Sequence, residues 1–165
     1  MAIWRKERIM ASALAFVLLL GVYGCKDGTT AGSKKIVVDS NALAEKIVKD
    51  GSFDDELNQL EDSQFGTIYE EVDASLVTKS CVYIGSGATA EQVVVVQAKD
   101  AKSAERVKDQ LKQKLEGDRK ENEEYLPKEI AKIDQAVLEV KGEYAILVVS
   151  KDSKQAEQVI DGECK

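Results

Sequence analysis

The chain has 165 residues, enough for one modest domain, and carries 23 basic and 30 acidic side chains for a formal net charge of −7. That charge repels nucleic acid and anionic lipid headgroups, so nucleic acid is not an expected partner. The chain has no histidine. This excludes Ser-His-Asp and Cys-His nucleophilic sites and histidine-ligated zinc or iron, and no other cofactor is expected.

The first residues are basic at Arg5, Lys6 and Arg8, and an apolar run follows from Ile9 to Val22. This is the layout of a secretory signal. The run is shorter than the roughly 20 residues that span a bilayer core as a helix. It ends in Val22-Tyr23-Gly24-Cys25, which resembles a bacterial lipobox. The resemblance implies a diacylglyceryl group on the Cys25 thiol and removal of residues 1–24. The expected location is the outer face of the cytoplasmic membrane, with the lipid anchor as the membrane contact. Without residues 1–24 the chain keeps 20 basic and 29 acidic side chains, a net charge of −9. Residues 25–35, polar and glycine-containing, read as a lipid-anchored flexible tether. Residues 36–165 read as one domain.

Asp39 or Ser40 can cap a helix bearing Leu43, Ile47 and Val48, with Gly51 past its end. A short helical pattern follows at Phe65, Ile68 and Tyr69. Residues 79–84 and 92–98 are β-prone; the second contains Val93 to Val96, apolar on both faces. Gly85-Ser86-Gly87 between them fits a hairpin loop or an anion-binding nest. A long helix is expected from about Lys102 to Glu123, buried along Ala104, Val107, Leu111 and Leu115. Pro127 ends it and starts another, with Ile130 and Ile133 inward. Residues 136–140 and 144–149 form strands around a tight turn at Lys141-Gly142. A last helix runs from about Ser153 to Ile160.

Glu91–Val107 aligns with Glu143–Val159 at a constant offset, with eight of 17 positions identical. Both copies run from a strand into Lys-Asp-x-Lys-x-Ala-Glu-x-x-Val, with Asp100 and Asp152 placed to cap the helix. The repeat fits either a duplication or shared local geometry. The expected fold is α+β: a four-stranded, mainly antiparallel sheet of two ββα units, preceded by short N-terminal helices. The two most apolar strands lie side by side in the middle, and strands 79–84 and 136–140 form the edges. The long and final helices cover one face, and the N-terminal helices part of the other.

Cys81 and Cys164 could form a disulfide in an exported chain, or stay as free thiols. Tyr69, Tyr83, Tyr125 and Tyr144 could line a recognition groove, or place amphipathic rings at the core boundary. For Tyr125-Leu126-Pro127 the structural role is favoured, the ring and Leu126 pinning the turn and Pro127 fixing its geometry. The acidic clusters, Asp54-Asp55-Glu56 among them, lack a calcium-loop pattern and read as solvated surface.

From about residue 39 to residue 162 the chain resembles a family of lipoproteins from Gram-positive bacteria, that of domain of unknown function 4358. The matching elements are Ile68-Tyr69, Tyr83, Glu91–Val96 with Lys99-Asp100, Tyr125-Leu126-Pro127, and Lys141-Gly142-Glu143-Tyr144. The resemblance implies an extracytoplasmic α+β domain and brings no catalytic residue or ligand. The expected function is a non-enzymatic binding module whose partner is an envelope protein, a peptide or a wall component. The rival expectations are a hydrolase or enzyme accessory working through carboxylates, and a structural scaffold lipoprotein.

Overall fold

A computed structural model of the chain describes residues 38–165. Cys25, the signal segment and the tether lie outside the described residues. Asp39 caps helix α1 (Ser40–Asp50), its carboxylate accepting from the Asn41 and Ala42 amides. After a loop come strand β1 (Asn58–Gln59), helix α2 (Phe65–Ile68) and strands β2 (Val77–Ile84) and β3 (Gln92–Ala98). Helix α3 (Ala101–Tyr125) is followed by a single turn over Pro127–Glu129, helix α4 (Ile130–Asp134), the hairpin β4 (Val137–Lys141) and β5 (Tyr144–Val149), and helix α5 (Ser153–Glu163). Gly142, at φ 61°, supplies the left-handed residue of that hairpin.

The sheet has five strands in the order β1-β2-β3-β5-β4, with every pair antiparallel. The two most apolar strands, β3 and β5, are central neighbours, and both bury side chains on both faces. The expectation of four strands needs correction. Asn58-Gln59 adds a fifth outside β2, pairing with Ile84 and Tyr83. β2 is therefore interior, while β4 is an edge.

The expected placement of the helices also needs correction. One face carries Val94, Val96, Ala145 and Leu147 against α2 and the Ala104, Val107 and Leu111 stripe of α3. The other carries Val93, Val95, Ile146 and Val148 against α1 and α5. The long and final helices thus lie on opposite faces. The cause is strand register. Val94 stands opposite Leu147 and Val95 opposite Ile146, and directly paired residues share a face. The internal alignment instead matches Val94 with Ile146. Each aligned pair therefore points to opposite sides of the sheet, and the helices that follow, α3 and α5, pack on opposite faces. What the copies share is the strand-to-helix junction: Asp100 accepts from the Ser103 amide at 2.7 Å and Asp152 from the Gln155 amide at 3.1 Å.

The chain enters the domain where β5 begins. The buried Tyr144 donates its hydroxyl proton to the Val38 carbonyl at 2.5 Å. Tyr144→Phe is expected to cost about 0.5–1.5 kcal/mol, the net worth of one such bond. It should also speed amide exchange in the first turn of α1. Urea unfolding and exchange mass spectrometry check this; unchanged exchange there would mean that α1 packing alone holds the segment.

Candidate functional site

At the far end of the sheet from Val38, where β3 begins, two polar networks meet. The first centres on Glu91. Its side chain is fully buried, and its carboxylate accepts from the Asp54 amide (2.8 and 3.0 Å) and the Asp55 amide (2.9 Å). Lys132 of α4 lies 3.0 Å from it, and also 2.9 Å from Asp54 and 3.0 Å from Glu129. One ammonium thus faces three carboxylates. Burial pulls the Lys132 pKa down, but hydrogen bonds to Asp54, Glu91 and Glu129 outweigh it and hold the group above its ordinary range. Asp54 is held below the usual carboxylate range by hydrogen bonds from Lys151 and then Lys132.

Asp55 organises the neighbouring loop. Its carboxylate accepts from the Ser86 amide and hydroxyl, both at 2.8 Å, and these bonds hold its pKa down. The Gly85-Ser86-Gly87 turn therefore receives its anion from within the chain. A side chain at Gly85 would meet the Asp55 carboxylate at 2.7 Å, so glycine is needed for the close approach. Asp54 and Asp55 are bonded parts of this framework at the surface, Asp54 exposed and Asp55 half-buried. Among the described residues, no group of three or more His, Cys, Asp or Glu could hold a metal ion.

The second network lies on the α3 side. Tyr69, stacked on Phe65, donates to the Gln92 side-chain carbonyl at 2.8 Å, and the Gln92 amide donates to Asp118 at 3.3 Å. Asp118 pairs with Lys114, whose ammonium sits 5.7 Å from the centre of the Tyr69 ring. Burial, with the Asp118 charge nearby, raises the Tyr69 pKa.

Above this floor an open cleft of about 550 Å³ separates the turn after α2 from the C-terminal part of α3. Ile68, Lys114 and Asp118 join it to a hollow of about 290 Å³ that reaches Gly87, Thr89 and Leu126. A third hollow, of about 280 Å³, adjoins at Tyr125 and Leu126. Tyr125 stands where the hollows meet and is 74% exposed, the one exposed large hydrophobic among the described residues. The expectation that its ring pins the turn is therefore corrected. Leu126 is half-buried, and its carbonyl closes the turn by accepting from the Glu129 amide at 2.8 Å. Pro127 is exposed, at the first position of that turn.

The other candidates lie elsewhere. Tyr144 is a tie at the opposite end of the sheet, and Tyr83 is half-buried on β2 beside the α1 layer. Cys81 and Cys164 are buried free thiols, both with pKa raised by burial. Cys81 lies on β2, and Cys164 closes α5 within the field of Lys141 and Glu139 on β4. β3 and β5 stand between those strands, a lateral gap of roughly 14 Å. A disulfide bridges Cα atoms no more than about 7 Å apart.

These charges set an expected pH profile. The ordinary pKa of Asp54 is 3.8 and its folded value is lower, so its stabilisation stands at neutral pH and is lost as pH falls through the folded value. Lys132, Cys81 and Cys164 have folded values above their ordinary 10.5, 9.0 and 9.0. Their stabilisation is complete below those values and is lost as pH rises through the folded ones. With no histidine in the chain, the urea midpoint should be level between about pH 5 and about pH 8 and should fall on both sides. A titration step centred near neutrality would contradict this account.

Among the described residues, no helix is long and apolar enough to cross a membrane. Neither a curated protein nor a solved structure matches the chain. A family model, described as a domain of unknown function (DUF4358), matches residues 49–161, from the end of α1 into α5. That span takes in the whole sheet, both polar networks and the cleft, and on it the chain belongs to the DUF4358 family.

Proposed function

We propose that the domain is a non-enzymatic binding module, held at the outer face of the cytoplasmic membrane by a diacylglyceryl group on Cys25. The observation that carries the binding reading is the cleft between α2 and α3 with Tyr125 exposed at its margin. Exposed aromatic rings are frequent anchors of recognition, because they bring large contact area at small entropic cost. The Lys114–Asp118 pair, bonded through Gln92 to Tyr69, braces the cleft floor.

The rival readings draw less support. A carboxylate enzyme needs an acid poised by a raised pKa. Glu91, the most buried carboxylate, is engaged by two amides and Lys132. The aspartates with displaced pKa values, Asp39, Asp50, Asp54, Asp55, Asp73 and Asp100, all lie below the ordinary value. A scaffold built on apolar contact needs a broad exposed patch, and Tyr125 is a single ring.

Two measurements test the reading. In cells fed a clickable palmitate analogue, the wild type should carry label and sediment with membranes, and Cys25→Ala should lose both. An unlabelled wild type would remove the anchor. A photo-crosslinking residue placed at position 125 should capture a reproducible partner in intact membranes. The same residue at the exposed Glu157 of α5 should not capture it. Equal capture from both positions, or none from 125, would remove the cleft as the binding surface.

A further inference from the structure

We infer that two copies of the chain join edge to edge through β4, antiparallel about a two-fold axis at Val140, into one continuous sheet. The inference goes beyond the binding reading and does not rest on the cleft.

The two edges of the sheet differ. One ends in β1, only two polar residues long, and the other in the five residues of β4. The alternation of hydrogen bonds decides which groups of β4 are free. The Ala98 amide donates to the Glu143 carbonyl at 2.8 Å, so Ala145 and Leu147, two and four residues on, also bond towards β3. Tyr144, Ile146 and Val148 then bond Lys141, Glu139 and Val137 of β4. Leu138 and Val140 therefore turn their amides and carbonyls outward, and among the described residues no backbone group meets them. Such an unpaired row is a template for another strand.

Charge selects the register. Outward residues of one copy must face outward residues of the other, so the axis falls on a residue of β4. An axis at Leu138 sets Glu139 opposite the partner's Val137, and one at Glu139 sets two carboxylates against each other. An axis at Val140 sets Glu139 opposite the partner's Lys141, twice over, in the closely spaced type of pair where side chains meet. In a lone copy the same two charges meet each other at 2.9 Å, which keeps the free edge soluble.

The axis also suits a chain anchored as proposed above. A two-fold between antiparallel strands runs along the sheet normal, so the α1 and α5 layers of both copies lie on the same side. Val38, where the chain enters, packs in that layer and is tied to Tyr144, which pairs with Lys141 one residue from the axis. The two Tyr144 positions then stand roughly 16 Å apart, three strand spacings across and two residues along. Both tethers leave on one face and can reach one membrane.

The test uses the full chain in membranes of the cells that make it. Val140→Cys is oxidised with copper phenanthroline and run on a non-reducing gel. On the axis two such cysteines have Cα atoms about 5.5 Å apart, within disulfide reach, so a band at twice the chain's mass is expected. Leu138→Cys, whose copies stand roughly 14 Å apart, should give no such band. Nor should the wild type, whose Cys81 and Cys164 are buried. Glu139→Lys and Lys141→Glu, each alone, set like charges across the axis. Each should lower capture of an untagged copy by a tagged one at least about fivefold. The two variants mixed should restore it, because each then meets the opposite charge, and that rescue shows that both fold. No linked band from Val140→Cys, an equal band from Leu138→Cys, or no rescue in the mixture would overturn the proposal. The first is the result if the chain's own residues 26–37, or a different protein, cover the edge.

Discussion

Glu91→Ala is expected to destabilise the domain by about 3–5 kcal/mol, the range found when one member of a buried ion pair is removed. The carboxylate it deletes is fully buried, accepts from two backbone amides and faces Lys132. Its loss strands the Asp54 and Asp55 amides and takes one of three carboxylate partners from an ammonium only 15% exposed. It also frees the loop through Asp54 and Asp55, which reaches the β2–β3 turn through Ser86. Glu91→Gln should cost less, because an amide oxygen still accepts one of the two bonds. A cycle pairing Glu91→Gln with Lys132→Met should show that the two losses are not additive. Urea unfolding gives these values. A loss under about 1 kcal/mol for Glu91→Ala would mean that the network is screened like a surface pair.

Glu91 also marks where sequence reasoning reached and where it stopped. Its position in the internal alignment is visible from residue identities alone, but its burial is not. An acidic residue beside a valine run reads as a strand end meeting solvent. Only the fold brings Asp54, Glu129 and Lys132 to it, from more than 35 residues away in each direction. Asp39, Gly51, Pro127 and Gly142 were legible because each acts through local backbone chemistry. The two buried strands were legible because their valine and leucine content exceeds what one face can hide. Their register was not. With both faces apolar, a one-residue slip leaves the pattern unchanged, yet it decides which face each following helix covers. Strand β1 escaped because two polar residues carry no periodicity; its hydrogen bonds come from the β2 edge. Tyr125 shows the opposite failure. A Tyr-Leu-Pro turn suggests packing, and Leu126 does sit half-buried, but the ring one position earlier falls on the solvent side of the last helical turn.

Helix α3 supplies a second large effect and a sign change within one element. Leu111 is completely buried against the sheet, and Leu111→Ala should cost about 2–5 kcal/mol through lost transfer energy and the cavity left behind. Six residues on, Gly117 is exposed in the middle of the helix, and a β-carbon built there meets nothing within 4 Å. Gly117→Ala should therefore stabilise the domain by about 0.5–1 kcal/mol, by removing the conformational freedom that glycine keeps in the unfolded chain. The contrast locates the point where α3 leaves the core. Its buried residues stop at Leu111, Leu115 is half-buried, and from Glu116 to Tyr125 its side chains are polar until the exposed ring. This segment, tied to β3 through Asp118 and to α4 through Arg119, forms one wall of the cleft and ends in the exposed Tyr125. If Gly117→Ala stabilises the fold but weakens partner capture from position 125, the glycine gives the cleft room that an alanine methyl fills. If stability rises and capture is unchanged, the partner contacts lie further along the helix, towards Glu121, Glu124 and Tyr125.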